Sequence, residues 1–189
     1  MRIISLLALG IATVILSSGC VTAHRLDTEI SPGIFGGRKP SNQADFDVLR
    51  AHGIRTIVSL QTFKWHVEPE RRLSAKNGIA FENIPIAAAP WGPAEWKVKA
   101  LFQLLTNPRL RPIYVHCALG RDRTAVLMAL YRVYYENCAA QEAWDQMLRR
   151  GGFKSRWGMF GFQRYYWNHC KRPDWAQCRV PDQALHEQR

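Results

Sequence analysis

The sequence has no internal repeats and no low-complexity tracts, which excludes solenoid and largely disordered architectures. None of its five cysteines forms a Cys-x-x-Cys pair, so a thiolate metal site or a thioredoxin-type redox pair is not indicated. His66, His169 and His186 show no metal-ligand spacing, and neither a metal nor a cofactor is expected. Acidic residues are few, 15 against 26 Lys and Arg, giving a formal charge of +11. That excess favours anionic partners, such as phosphate esters or acidic lipids. No long Lys/Arg run accompanies it, so a nucleic-acid partner is not expected. Apolar residues nevertheless make up 47% of the 189, enough for one domain with a real core.

The N-terminus differs from the rest. Arg2 precedes an apolar stretch from Ile3 to Leu16, then Ser17-Ser18-Gly19-Cys20, with no acidic residue in positions 1–19. A positive start, an apolar run and small residues are the parts of an export signal, and the run falls short of the ~20 residues that span a bilayer. Leu16-Ser17-Ser18-Gly19-Cys20 resembles the lipobox of bacterial lipoproteins, although its leucine lies four residues before the cysteine instead of three. The expectation is a signal peptide at 1–19 and lipidation of Cys20, with simple signal cleavage as the alternative. Either places the chain outside the cytoplasm, in the periplasm or cell envelope, with a membrane tether if lipidated. A linker over 20–32, a main domain over 33–170 and a C-terminal extension over 171–189 complete the division. In an oxidising compartment Cys170 and Cys178 could be bridged, while Cys138 is expected to be a buried thiol.

Gly33–Gly37 is predicted as a short strand, followed by a helix capped by Ser41, ending at Ala51 and stopped by Gly53. Arg55–Leu60 is predicted as a buried strand. A looser charged segment from Gln61 leads to a short helix ending at Gly78. Ile79–Ile86 is a second buried strand, and Pro93 opens a helix through Leu105 with Val98, Leu101, Phe102 and Leu105 at spacings of three and four. Pro112–His116 is a third strand, followed by a loop and helices over 123–137 and 140–150. Phe160, Phe162, Tyr165, Tyr166 and Trp167, with Trp157, suit a final helix packed on the core. This alternation predicts an α/β sandwich with a largely parallel sheet.

The informative stretch is His116-Cys117-Ala118-Leu119-Gly120-Arg121-Asp122-Arg123-Thr124. It follows a buried strand and opens a helix, where backbone N–H groups and the helix dipole favour an anion. The same dipoles would stabilise a Cys117 thiolate. Arg123, which follows the five loop residues after Cys117, can return over the loop and grip two phosphate oxygens with its planar guanidinium. Gly120 allows the tight turn. The Thr124 hydroxyl is in plausible reach of the sulfur, and His116 is expected to hold the loop's shape.

These residues resemble the His-Cys-x5-Arg-(Ser/Thr) signature of the protein tyrosine and dual-specificity phosphatase superfamily. The resemblance extends to Phe35–Pro40 and Gly53–Leu60, covering about Gly33 to Phe153. It implies a cysteine-phosphatase-like three-layer sandwich with a central sheet of about four to five mostly parallel strands between helices. It also implies phosphomonoester hydrolysis through a phosphocysteine intermediate on Cys117, with Ala118, Leu119, Gly120, Arg121, Asp122 and Arg123 binding the phosphate.

The usual general acid of that superfamily is an aspartate on the loop corresponding to 87–93. Here the loop reads Ala-Ala-Ala-Pro-Trp-Gly-Pro, and Glu95 beyond it falls in a helix's first turn. Gly120-Arg121-Asp122-Arg123-Thr124 is similar to the loop of a bacterial and myotubularin-like subset, which implies that Asp122 is the acid; pairing with a nearby arginine is its alternative role. Arg121 adds rim charge suited to highly anionic substrates, or is simply solvated. The implied substrate is a phosphotyrosine protein or a phosphoinositide or inositol phosphate. A catalytically inactive phosphate-binding module of the same fold is the alternative.

Overall fold

The computed structural model describes residue 26 and residues 28–153 and 159–171. The leader at 1–19, Cys20, Trp157, Cys178 (and with it the Cys170–Cys178 bridge) and His186 lie outside the described residues.

Five strands form one sheet in the order β1-β2-β5-β3-β4. These are β1 (Glu29–Ser31), β2 (Ile34–Gly37), β3 (Thr56–Ser59), β4 (Ala80–Asn83) and β5 (Ile113–His116). Only β1 is antiparallel to its neighbour; β2, β5, β3 and β4 run parallel. The helices are α1 (Gln43–Ala51), α2 (Lys64–Lys76), α3 (Glu95–Thr106), α4 (Arg123–Tyr135), α5 (Ala140–Arg149) and α6 (Phe160–His169). The expected three-layer α/β sandwich with a mostly parallel sheet is what the chain forms.

Strand alternation builds two cores, one on each face. Ile34, Val58, Ile113 and Val115 point to one side, against Leu101, Phe102, Leu127, Leu130 and Phe162 of α3, α4 and α6. Phe35, Ile57 and Tyr114 point to the other, against Phe46 and Leu49 of α1. Each such fully buried aliphatic or aromatic side chain contributes about 1.5–3 kcal/mol. Central β5 is buried along its whole length, so the loop that follows it grows from the most constrained part of the fold.

Several local expectations need correction. Asn42 caps α1, its side chain accepting the Asp45 N–H, while the Ser41 N–H instead donates to Asp45 Oδ2 at 2.7 Å. β4 is not a buried strand: as an edge strand it alternates exposed and half-buried residues, and its burial comes from the flanking Ile79 and Ile86. The charged stretch after Gln61 is a thirteen-residue helix, with Pro69 inside it. Pro93 precedes the α3 cap, Ala94, rather than opening the first turn. Cys138 is only half-buried. β1 lies within the residues assigned to the linker.

Candidate active site

Cys117 is the first residue after β5 and Arg123 the first of α4, so residues 117–122 form a loop at the carboxyl end of the parallel strands. Ligands of open parallel sheets bind at this end. Cys117 is 3% exposed, and the Gly120 N–H donates to its sulfur at 3.3 Å. A backbone donor aimed at a sulfur stabilises the thiolate form.

Gly120 cannot be another residue without rearrangement. It takes φ +72°, and a Cβ there would lie 2.2 Å from the carbonyl carbon of Gly37. Gly37 is itself fixed in the ladder opposite His116. The loop therefore lies directly against the end of β2. On the outer side, the Lys39 N–H donates to the Ala118 carbonyl at 3.2 Å, and Lys39 Nζ donates to the His66 carbonyl at 2.8 Å. Lys39 thus ties the loop to the first turn of α2.

The position of residues 38–39 is set in turn by Arg38. Its guanidinium forms a two-pronged pair with Asp45 at 2.8 and 2.6 Å, and its carbonyl accepts from the Tyr114 hydroxyl at 2.7 Å. Burial opposes ionisation of Asp45, but the Arg38 hydrogen bonds and charge and the Ser41 and Asn42 amides outweigh it, holding the carboxyl below its usual value. Burial pushes the Tyr114 phenol well up, so it serves here as a neutral donor. At the far side of the loop the Phe153 N–H donates to the Arg121 carbonyl. Phe153 holds φ +48°, costing about 1–3 kcal/mol for a residue with a side chain, while its ring packs on Trp144 at 5.2 Å.

Arg123 is held from outside the loop. Its Nη1 donates to the Leu60 carbonyl at 3.1 Å and the Ile86 carbonyl at 2.8 Å, the chain ends just beyond β3 and β4. One nitrogen makes both bonds, which leaves the Nε–Nη2 edge of the fork for a ligand. That edge matches the spacing of two oxygens on a phosphate.

His116 and Glu70 face each other, both buried, beneath the loop. His116 Nδ1 lies 2.9 Å from the Cys117 carbonyl, which can only accept, so Nδ1 carries hydrogen in that contact. Its Nε2 meets Glu70 Oε1 at 2.5 Å, with both side chains fully buried. His116 is therefore a fixed strut under Cys117. Glu70 escaped the sequence reading, since only its burial distinguishes it from the solvated charges beside it.

Asp122 occupies the α4 N-cap, without a side-chain capping bond, and is half-buried. Thr124 is buried, with its hydroxyl lacking a hydrogen-bond partner. Ala118 is exposed, Leu119 and Arg121 half-buried, and Arg121 Nε is buried without a partner. Glu95, in the first turn of α3, is exposed, and its charge bears on Tyr134 and Tyr165. Among the described residues no cluster of three or more His, Cys, Asp or Glu could hold a metal.

Residues 26–157 match the family described as DSP-PTPase phosphatase fused to NAD+ Kinase. The chain belongs to this dual-specificity phosphatase family. It is 27% identical over 124 residues to the dual specificity protein phosphatase TpbA of Pseudomonas aeruginosa (strain UCBPP-PA14), covering 66% of this chain and 53% of that protein. The chain thus spans about half the length of that relative. Among solved structures, the core catalytic domain of the PP-IP phosphatase SIW14 from S. cerevisiae, in complex with citrate, superposes with a TM-score of 0.66 at 17% identity, over 79% of this chain and 88% of that one. P. aeruginosa TpbA gives 0.60 at 23% identity, over 73% and 81%. A TpbA variant in complex with pTyr gives 0.59 at 23% identity, over 72% and 79%. At these identities the structural likeness establishes the cysteine-phosphatase fold, and this dual-specificity member shares it.

Proposed function

We propose that the protein is a phosphomonoester hydrolase that works through a phosphocysteine on Cys117. The observation that carries this reading is the pairing of a backbone donor on the Cys117 sulfur with an Arg123 fork anchored through one nitrogen only. In the first step the sulfur attacks phosphorus: an S–P bond forms, the bond from phosphorus to the leaving oxygen breaks, and Asp122 gives that oxygen its proton. In the second, water attacks phosphorus, the S–P bond breaks, and the Asp122 carboxylate takes the water proton. Arg123 and the amides of residues 118–123 hold the non-bridging oxygens as charge shifts. Thr124, buried with an unengaged hydroxyl, can donate to the departing thiolate, and His116 keeps the loop over the sulfur.

Asp122 is assigned the acid role because residues 87–93 carry no carboxylate and Glu95 lies in the first turn of α3, where its charge favours the helix dipole. The substrate is a phosphotyrosine protein or a phosphoinositide or inositol phosphate, in keeping with the Arg121 charge and with the pTyr and PP-IP chemistry named for the structural relatives. The leader and the lipobox-like Cys20 support export to the cell envelope, with a lipid tether, or simple signal cleavage as the alternative; a Cys20→Ala protein that still fractionates with membranes would count against the tether.

Hydrolysis of an aryl phosphate by wild type, Cys117→Ser and Asp122→Asn tests the mechanism. Expected are no turnover with Cys117→Ser, and with Asp122→Asn a loss that is much larger for poor leaving groups. An inert wild type in reducing buffer would make the protein a phosphate-binding module. A panel of phosphopeptides and phosphoinositides then identifies the substrate.

A further inference from the structure

Five large aromatic side chains on segments outside the loop at 117–122 are more than half exposed. Phe63 and Trp65, just past β3, are 53% and 68% exposed and stack at 4.5 Å. Trp91 and Trp96, beyond β4, are 75% and 68% exposed, with Lys97 Nζ 5.3 Å from the Trp96 ring centre. Phe160, at the start of α6, is 53% exposed. Its neighbour Gly161 abuts the 90–92 loop so closely that a Cβ would lie 2.2 Å from Gly92 N.

These segments converge on one end of the fold. Arg123 bonds to the Leu60 and Ile86 carbonyls, at the roots of the first two segments. Lys39 links the loop itself to His66, beside Trp65. The rings, called the collar below, are therefore carried by three separate segments rooted at the end of the fold that holds the candidate phosphate site.

We infer that this collar docks the mouth of the site on an anionic bilayer surface. Folded chains rarely leave several large aromatics protruding together, and such patches mark contact surfaces. Tryptophan in particular prefers the headgroup level, where its ring is sheltered and its N–H remains solvated. Exposed Lys64 lies between Phe63 and Trp65, and Lys97, whose ammonium donates to the Pro85 carbonyl, lies beside Trp96, giving the rings a positive surround that complements acidic headgroups. Of the acidic neighbours, Glu68 is paired with Arg71 at 3.8 Å. Rings more than half exposed protrude, as interfacial anchors do, whereas a peptide groove would sink them. Docking of the mouth is read by quenching and hydrolysis by kinetics, so either can fail without the other.

The test is quenching of tryptophan emission by brominated phospholipid, with the full chain on vesicles rich in phosphatidylserine. Residues 1–25 contain no tryptophan, so the leader cannot supply the signal. Three of the seven tryptophans belong to the collar, so wild type and Cys117→Ser should lose up to about two fifths of their emission. The Trp65→Ala/Trp91→Ala/Trp96→Ala protein should show at least a threefold smaller quench and about tenfold weaker vesicle binding, with aryl phosphate kcat/KM within about twofold of wild type. A thermal melt checks its folding, and single Trp91→Ser replaces it if the triple variant is unfolded. No quenching of the wild type, or equal quenching of the variant, overturns the inference. So does a variant that keeps the quench but loses activity on a soluble phosphotyrosine peptide, which would assign the collar to protein substrates.

Discussion

Replacing Gly120 by alanine should separate site geometry from global stability. The new Cβ would lie 2.2 Å from Gly37 C and 2.3 Å from Gly37 O, whereas non-bonded carbons rest about 3.5–4.0 Å apart. Something must therefore move by about 1 Å or more. Gly37 is held in the ladder between β2 and β5, so the loop gives way. The φ of +72° adds a conformational penalty of about 1–2 kcal/mol. Total destabilisation should be about 2–5 kcal/mol, lowering the Tm by about 4–20 °C. The catalytic effect should be larger. Gly120 supplies the N–H at the Cys117 sulfur, and a shift of about 1 Å in a positioned group costs on the order of a hundredfold in kcat/KM. Steady-state kinetics on an aryl phosphate, read with a thermal melt, measures both. A variant within about threefold of wild type, with an unchanged melt, would refute the close approach of loop and strand.

Arg123→Lys keeps the charge but loses the fork, and should lower kcat/KM by about a hundred- to a thousandfold with a Tm shift of only a few degrees; near-normal kinetics would contradict the clamp. Glu70→Gln replaces the carboxyl facing His116 Nε2 and should lower kcat/KM about tenfold; unchanged kinetics and melting would remove Glu70 from the support of the loop. Asp45→Asn should cost about 2–3 kcal/mol near neutral pH by disrupting the two-pronged Arg38 pair. The folded Asp45 carboxyl is depressed, so this stability is present above the unfolded value and disappears as pH falls through the folded one. The Tm difference between wild type and variant should accordingly shrink below about pH 4, and a difference independent of pH would contradict the ion pair.

The parts of the site that share one stretch of chain were legible in the sequence. β5, the loop and the start of α4 are contiguous, and the run from Pro112 to Thr124 states strand, turn and helix through local chemistry alone. The parts that support it from a distance were not. Pro69, normally a helix breaker, and the charges around it disguised α2, whose inward residue Glu70 differs from its solvated neighbours only through a contact 46 positions away. β1 has three residues and an edge position, too little for any periodicity. Ser41 and Asn42 can both cap a helix, and the choice between them depends on Asp45 being occupied by Arg38. The carbonyls that anchor Arg123 belong to the backbone, which no side-chain pattern announces.

The central claim is covalent, and it can be read covalently. Acid-quenched single turnovers with a phosphate-labelled aryl ester should leave label on the peptide that contains Cys117, in amounts rising toward one per chain when Asp122→Asn slows attack by water. Label on a different residue, or undiminished turnover by Cys117→Ser, would contradict it.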